Sequence, residues 1–258
     1  MTPPPSLTLV ITAHRPQHLR EAIASVAAQT STHFDVVCCA DATSGYPVAD
    51  MLRELAPSIP CRRVEVLDVQ GGTAGRVRNA GFAAAATQWV AYLDGDDMLY
   101  PDALATVQAA IDSGQADILS TGMARIDGTG RHSVLPASLR YRPPQWIYRI
   151  DPDTVGHATF FNQLLAIRRA LWHAGPFYEE TNGEDIDFML HQLLNGTFRK
   201  IPVALYGYRD TPDSFSKQHF TGGDLCARRY ESGYYQRLFE RRYRVEVAGN
   251  FAEEPDPQ

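Results

Sequence analysis

The sequence predicts an α/β protein with a Rossmann-like, mostly parallel sheet flanked by helices. Three observations carry this reading. Short apolar or β-branched runs recur, and each is followed by a helical stretch. Polar residues gather directly after those runs. At 258 residues, with 44% hydrophobic and 21% charged content, the chain also has the apolar material for one full core.

The first run, Leu7 to Ile11, precedes a helix expected over His18 to Gln29. The second, Phe34 to Cys39, precedes one over Pro47 to Leu55. Val64 to Leu67 leads into Ala74 to Ala86, and Trp89 to Leu93 leads into Pro101 to Ser113. Pro101 there occupies a helix-start position, with Asp102 in the first turn. Continuous apolar runs of this length suit parallel strands covered on both faces.

The second half is less regular. Pro143, Pro144, Pro152 and several aromatics between Tyr141 and Phe161 lead to an apolar stretch at Leu164 to Ile167. A helix is expected after Gly183, because Glu184, Asp185 and Asp187 suit its positive end, and Phe188, Leu190, Leu193 and Leu194 supply an apolar face. Lys200 to Tyr206 reads as a strand. Beyond Gly223, six arginines from Arg228 to Arg244 are interleaved with Tyr230, Tyr234, Tyr235, Phe239 and Tyr243. This predicts a C-terminal helical extension packed on the domain; peripheral contact with an anionic membrane surface and binding of a partner are the alternatives.

Charge narrows the partners. The chain carries 24 Lys and Arg against 30 Asp and Glu, a net charge of −6, which disfavours nucleic acid. The N-terminus has no basic residue before the first strand and does not read as a secretory signal. No stretch is long and apolar enough for a transmembrane segment. The four cysteines, with Cys38 and Cys39 adjacent and Cys61 and Cys226 far apart, show no zinc spacing and read as reduced residues in the cytoplasm.

In a parallel sheet, ligands gather beyond the carboxyl ends of the strands, so the polar residues there are the candidates. These are Thr12-Ala13-His14-Arg15, Asp41-Ala42-Thr43, Asp68 to Thr73, and Asp94-Gly95-Asp96-Asp97. Three carboxylates within four residues repel one another unless a cation or hydrogen-bond donors neutralise them, and hard oxygen ligands suit Mg²⁺ or Mn²⁺ held jointly with phosphate. The plain alternative is a solvated acidic turn before a helix. Asp41 can accept from a nucleobase N–H or a ribose hydroxyl, or simply close a turn. Gly71 and Gly72 let backbone approach a ligand, and Arg78 can pair with a diphosphate, or lie on a solvated helix face. Glu184 and Asp185 form a second acidic cluster, of which one member can deprotonate an acceptor hydroxyl. His157 and His219 are possible ligands of metal or phosphate. No Gly-rich dinucleotide fingerprint or Walker-type run is present.

In order, these blocks resemble the family 2 glycosyltransferases of GT-A fold from about Leu7 to Ser216. Ile11-Thr12-Ala13-His14-Arg15-Pro16 is similar to the family's opening strand and turn, with Ile11 and Ala13 in place of its Pro and Tyr. Cys39-Ala40-Asp41-Ala42-Thr43 falls where the family has paired Asp, Ala40 being a departure. Val77-Arg78-Asn79-Ala80-Gly81 looks like its Ala-Arg-Asn-x-Gly block. Asp94-Gly95-Asp96 fits its Asp-x-Asp motif, and Ala174-Gly175-Pro176-Phe177 with Glu184-Asp185 fits its later blocks.

The resemblance implies a donor site of Thr12, Ala13, His14, Arg15, Asp41, Gly72, Arg78, Asp94 and Gly95. Asp41 would meet the base and Arg78 the diphosphate. Asp96 would be the direct metal ligand, Asp94 would bind ribose or support the metal, and His219 is a third metal candidate. Asp185 would be the base, with Glu184 and Trp146 on the acceptor side and Tyr208-Arg209 through Ser214-Phe215-Ser216 as a loop over the donor. Asp97 is expected at a helix entry. Residues 1–218 would form the catalytic domain, with a nucleotide-sugar-binding half to about 115 and an acceptor-side half to 218. Residues 219–258 would form the extension.

The implied activity is inverting transfer from a nucleotide sugar, UDP-hexose favoured and dTDP- or GDP-sugars open. A polysaccharide, a lipid or a small metabolite all fit as acceptor. Trp146, Tyr148, Phe160 and Phe161 suit either the lining of an acceptor cleft or packing in the core. One rival is a sugar-nucleotide nucleotidyltransferase, which would release pyrophosphate from a nucleoside triphosphate. The other is a non-catalytic nucleotide-sugar-binding module.

Overall fold

A computed structural model describes residues 6–139, 164–179, 184–193 and 195–210. Trp146, Tyr148, His157, Phe160, Phe161, Gly183, Leu194, Ser214-Phe215-Ser216, His219, Cys226 and the extension over 219–258 lie outside these residues.

The four apolar runs become β1 (Leu7–Ala13), β2 (Asp35–Asp41), β3 (Arg63–Val69) and β4 (Trp89–Asp94). Each is followed by its expected helix: α1 (Leu19–Ala27), α2 (Val48–Leu55), α3 (Ala74–Ala84) and α4 (Ala103–Asp112). The last begins later than the sequence suggests. Asp102 stands before it without a side-chain cap, its carboxylate instead accepting from Thr30 Oγ1 at 3.0 Å.

The second half supplies β6 (Ile118–Ile126), β7 (His132–Val134), β8 (Ala166–Arg168), α5 (Arg169–Ala174), α6 (Glu184–Leu193) and β9 (Phe198–Arg209), and β5 (Met98–Leu99) lies between β4 and α4. Among the described residues all strands join one sheet in the order β3-β2-β1-β4-β8-β6-β9-β5, with β7 beside β6. Pairing is parallel from β3 through β4 and between β6 and β9; β8, β7 and β5 run antiparallel to their neighbours. The sheet is therefore mixed beyond β4.

Side-chain alternation along the strands builds two cores. Leu9 and Ile11 of β1 face α1, α2 and α4 with Ile23, Leu52 and Leu104. Val10, with Val37, Val90 and Tyr92, faces the other way, toward Phe82, Trp172, Phe177 and Phe188. Phe177 and Phe188 stack at 3.7 Å between ring centroids, with Phe82 edge-on to Phe177 at 5.3 Å. Such pairs contribute ~0.5–1.5 kcal/mol each beyond their burial. Cys38 and Cys39 are buried free thiols, and burial pushes Cys39 up to about 12. No helix of the described residues is long and apolar enough to cross a membrane.

The topology positions the site. After β3 the chain crosses from one side of β1 to the other, so β1 lies between β2 and β4 at the point where strand order reverses. A crevice opens there beyond the carboxyl ends.

Candidate active site

Around that crevice the predicted polar turns come together. Gly95 N–H donates to Thr12 O at 2.7 Å, and Thr12 Oγ1 donates to Asp94 Oδ1 at 3.0 Å, joining the ends of β1 and β4. A Cβ on residue 95 would lie 2.7 Å from Thr12 O, so this close approach needs glycine. The turn sets Asp94 half-buried in the crevice and Asp96 exposed to solvent. The protein packed around the turn, and then the Asp94 charge, raise the Asp96 carboxyl above its usual range.

Asp97 points the other way. It is 3% exposed, accepting from Tyr206 Oη at 2.5 Å and from Arg209 N–H at 2.8 Å. It is thus not a helix-entry residue, since α4 starts only at Ala103; it fastens the acidic turn to the end of β9. Burial, and then the charges of Asp96 and Asp94, push it well above the carboxylate range. An acid between the Gly95-Asp96 turn and the apolar Met98-Leu99 pair is the only hint the sequence gives of this.

Arg78 is buried, and its guanidinium faces inward. One nitrogen donates to Asp94 Oδ1 and Oδ2 at 2.8 and 2.9 Å, and another ion-pairs with Glu184. Its plane lies over Tyr92, 4.6 Å from the ring centroid. Burial alone would lower its pKa, but the charges around it, Asp94 first and Glu184 and Asp185 after, raise it well above the ordinary value. Both terminal nitrogens of Arg78, expected from the sequence beside a diphosphate, are paired with carboxylates in this structure. Glu184 is raised to about 7 by burial and by Asp185, with Arg78 pulling it down. Asp185, on the first turn of α6, is half-buried beside this cluster, close enough for its charge to act on Arg78, Tyr92 and Glu184.

Asn79, which the sequence offers only as part of the Val77-Arg78-Asn79-Ala80-Gly81 block with no role of its own, is a hub. Its Nδ2 donates to Phe177 O and to Glu179 Oε1, both at 2.9 Å, while its Oδ1 accepts from Trp172 Nε1 at 2.9 Å and Phe177 N–H at 3.0 Å. All four hydrogen-bonding sites of the amide are filled. It ties α3 to the Gly175-Pro176-Phe177 segment that leads toward α6.

Asp41 forms a second centre at the end of β2. Its Oδ1 accepts from Thr43 N–H at 2.9 Å, Thr43 Oγ1 at 2.6 Å and Gly72 N–H at 3.3 Å, and its Oδ2 faces His14 Nδ1 at 2.9 Å. Gly72 reaches this carboxylate in the left-handed region at φ 76°, where a side chain would be strained. Burial raises Asp41, but the bonds from Thr43, His14 and Gly72 outweigh it and hold the carboxyl below its ordinary range. His14 lies mostly in solvent, beside the half-buried Arg15, and Ala13 is buried beneath them.

For a divalent cation, the chemistry of Asp94 and Asp96 is appropriate: two hard carboxylates on one turn, the first half-buried and the second exposed. Among the described residues no group of three His, Cys, Asp or Glu side chains is close enough to enclose a metal.

Comparison with known proteins bears on the family and the fold. Residues 8–169 match the family described as Glycosyl transferase family 2. The O-antigen biosynthesis protein RfbC of Myxococcus xanthus is 30% identical over 191 residues, covering 72% of this chain and 14% of that protein. The succinoglycan biosynthesis protein ExoW of Rhizobium meliloti is 38% identical over 115 residues, 43% of this chain and 35% of that one. The chain thus spans well under half the length of these curated relatives. The structure of S. aureus TarS 1-349 in complex with UDP-GlcNAc superposes with a TM-score of 0.66 at 19% identity, covering 96% of this chain and 68% of that one, which shows the shared GT-A fold.

Proposed function

Since the chain belongs to glycosyl transferase family 2, we propose that it moves a sugar from a nucleotide-sugar donor, a UDP-hexose by preference, to an acceptor hydroxyl with inversion. The observation that carries this reading is the Asp94–Arg78–Glu184 chain of ion pairs. It joins the end of β4 to the start of α6, so the acidic turn and Asp185 border one crevice. The complex of TarS with UDP-GlcNAc supports a UDP-sugar as donor.

In this scheme the ends of β1 and β2 receive the nucleoside, and Asp94 and Asp96 hold Mn²⁺ or Mg²⁺. When bound, the cation neutralises charge developing on the departing diphosphate. Asp185 accepts the proton of the attacking hydroxyl, and attack opposite the leaving group inverts the anomeric carbon. Arg78 acts on the protein rather than on the donor: its charge keeps Asp94 and Glu184 in place, and Tyr92 and Phe177 hold its plane.

The test is a panel of nucleotide sugars with Mn²⁺, scored by donor hydrolysis and transfer. We expect a UDP-sugar to be turned over. Asp185→Asn should retain donor binding and lose at least about 100-fold in rate. Hydrolysis unchanged in Asp185→Asn would remove Asp185 as the base.

A further inference from the structure

The acidic turn after β4 carries one buried carboxyl that the scheme above leaves without a task. Asp94 and Asp96 are given to the cation, whereas Asp97 is buried and turned away from the crevice.

The turn is clamped from two sides. On one, Gly95 N–H donates to Thr12 O at 2.7 Å and ties it to β1. On the other, Asp97 Oδ2 accepts from Tyr206 Oη at 2.5 Å and Oδ1 from Arg209 N–H at 2.8 Å, which ties it to β9. Between these anchors Asp97 N–H donates to Asp94 O at 3.0 Å and closes the turn, with Asp96 exposed at its apex. The β9 anchor is itself tightly held. Tyr206 is buried and pairs with Leu99, and Gly207 lies so close to Met98 that a Cβ there would be 2.6 Å from Met98 Cγ.

A ligand at the apex of a turn is aimed by the residues on either side of it, and groups standing behind a metal ligand typically change metal affinity by about 10–100-fold. With the cation reading above as its basis, we infer that Asp97 is a positioning residue for the cation: held by Tyr206 Oη and Arg209 N–H, it aims Asp96, so that cation affinity depends on two groups of β9 that never meet the cation. Both oxygens of Asp97 are engaged away from the crevice, so it acts by its two hydrogen bonds rather than by its charge. Asparagine can make the same pair, Oδ1 accepting from Arg209 N–H and Nδ2 donating to Tyr206 Oη, and alanine can make neither. Phenylalanine at 206 removes one of the two from the β9 side and leaves every residue of the turn in place.

The test is the Mn²⁺ concentration that half-saturates UDP binding, measured by calorimetry on the full chain. The wild type is compared with Asp97→Ala, Asp97→Asn and Tyr206→Phe, each shown by urea unfolding to be folded under the assay conditions. Asp97→Ala and Tyr206→Phe should need about tenfold more Mn²⁺ or above, and Asp97→Asn should stay within about twofold of the wild type. A fold that is merely weakened shifts the urea midpoint and leaves this concentration where it was. An unchanged concentration in Tyr206→Phe overturns the inference, and that variant decides alone should Asp97→Ala not fold. A loss in Asp97→Asn as large as in Tyr206→Phe makes charge the agent and overturns it too. UDP binding by the wild type that is absent, or that needs no Mn²⁺, overturns the reading beneath, and this inference with it.

Discussion

Two carboxylates on the same edge of the sheet are held in opposite ways. Asp41 is held by several hydrogen bonds from three turns: Thr43 two positions on, Gly72 on the loop after β3 and His14 on the turn after β1. Asp94 is held by the charge of Arg78, which is shared with Glu184, 106 positions from Arg78 in sequence. The first centre ties together the turns that follow three neighbouring strands, β1, β2 and β3. The second crosses the molecule and makes the placement of α6 depend on β4. Buried charge is costly unless paired, so the second centre is the more fragile one.

This contrast predicts a hierarchy of losses. Arg78→Met should be the most damaging, because it leaves two carboxylates without their counter-ion. Breaking a buried pair in this way costs ~3–5 kcal/mol, read from urea unfolding, with loss of donor binding as well. A loss below ~1 kcal/mol would mean that water already satisfies Asp94 and Glu184.

Asn79→Ala comes next. It leaves Trp172 Nε1–H and Phe177 N–H buried without an acceptor, at ~2–4 kcal/mol for the two together. Its effect should fall on the α3–Phe177 junction, visible as faster hydrogen exchange there while β1 and β2 keep their protection.

Asp41→Asn should be milder and should alter the pH dependence. Asp41 has a depressed folded pKa, so its stabilisation is present above the unfolded value, about 3.9, and is lost as pH falls through the folded one. The variant should therefore lose stability at neutral pH, and its unfolding midpoint should fall less steeply with acid than the wild type's. Parallel acid profiles would show that Asp41 is not the group responsible. Arg20→Ala, removing an exposed pair with Glu54, should leave the urea midpoint unchanged.

The same contrast explains what was legible in the sequence. Strands β1 to β4 declare themselves as continuous apolar runs, and Asp41, Asp94 and Asp96 follow from strand ends, where local pattern is enough. Strand β6 was not foreseen, because Ser120, Thr121 and Gly122 interrupt its apolar run although Ser120 and Thr121 are fully buried. Arg78 was located but its pairing with Glu184 was not, since a helix position does not say which distant carboxylate lies opposite it. Asn79 and Asp97 act through Phe177 and Tyr206, about a hundred residues away, and no spacing rule connects them.

The central claim is that the turn after β4 holds a nucleotide-sugar diphosphate through a divalent cation. Thermal unfolding with a UDP-sugar tests it most directly, comparing Mn²⁺ with excess chelator in the wild type and in Asp96→Ala. The account predicts a rise in midpoint only when donor and cation are both present, and no rise in Asp96→Ala. An equal rise with chelator present, or an undiminished rise in Asp96→Ala, would contradict it.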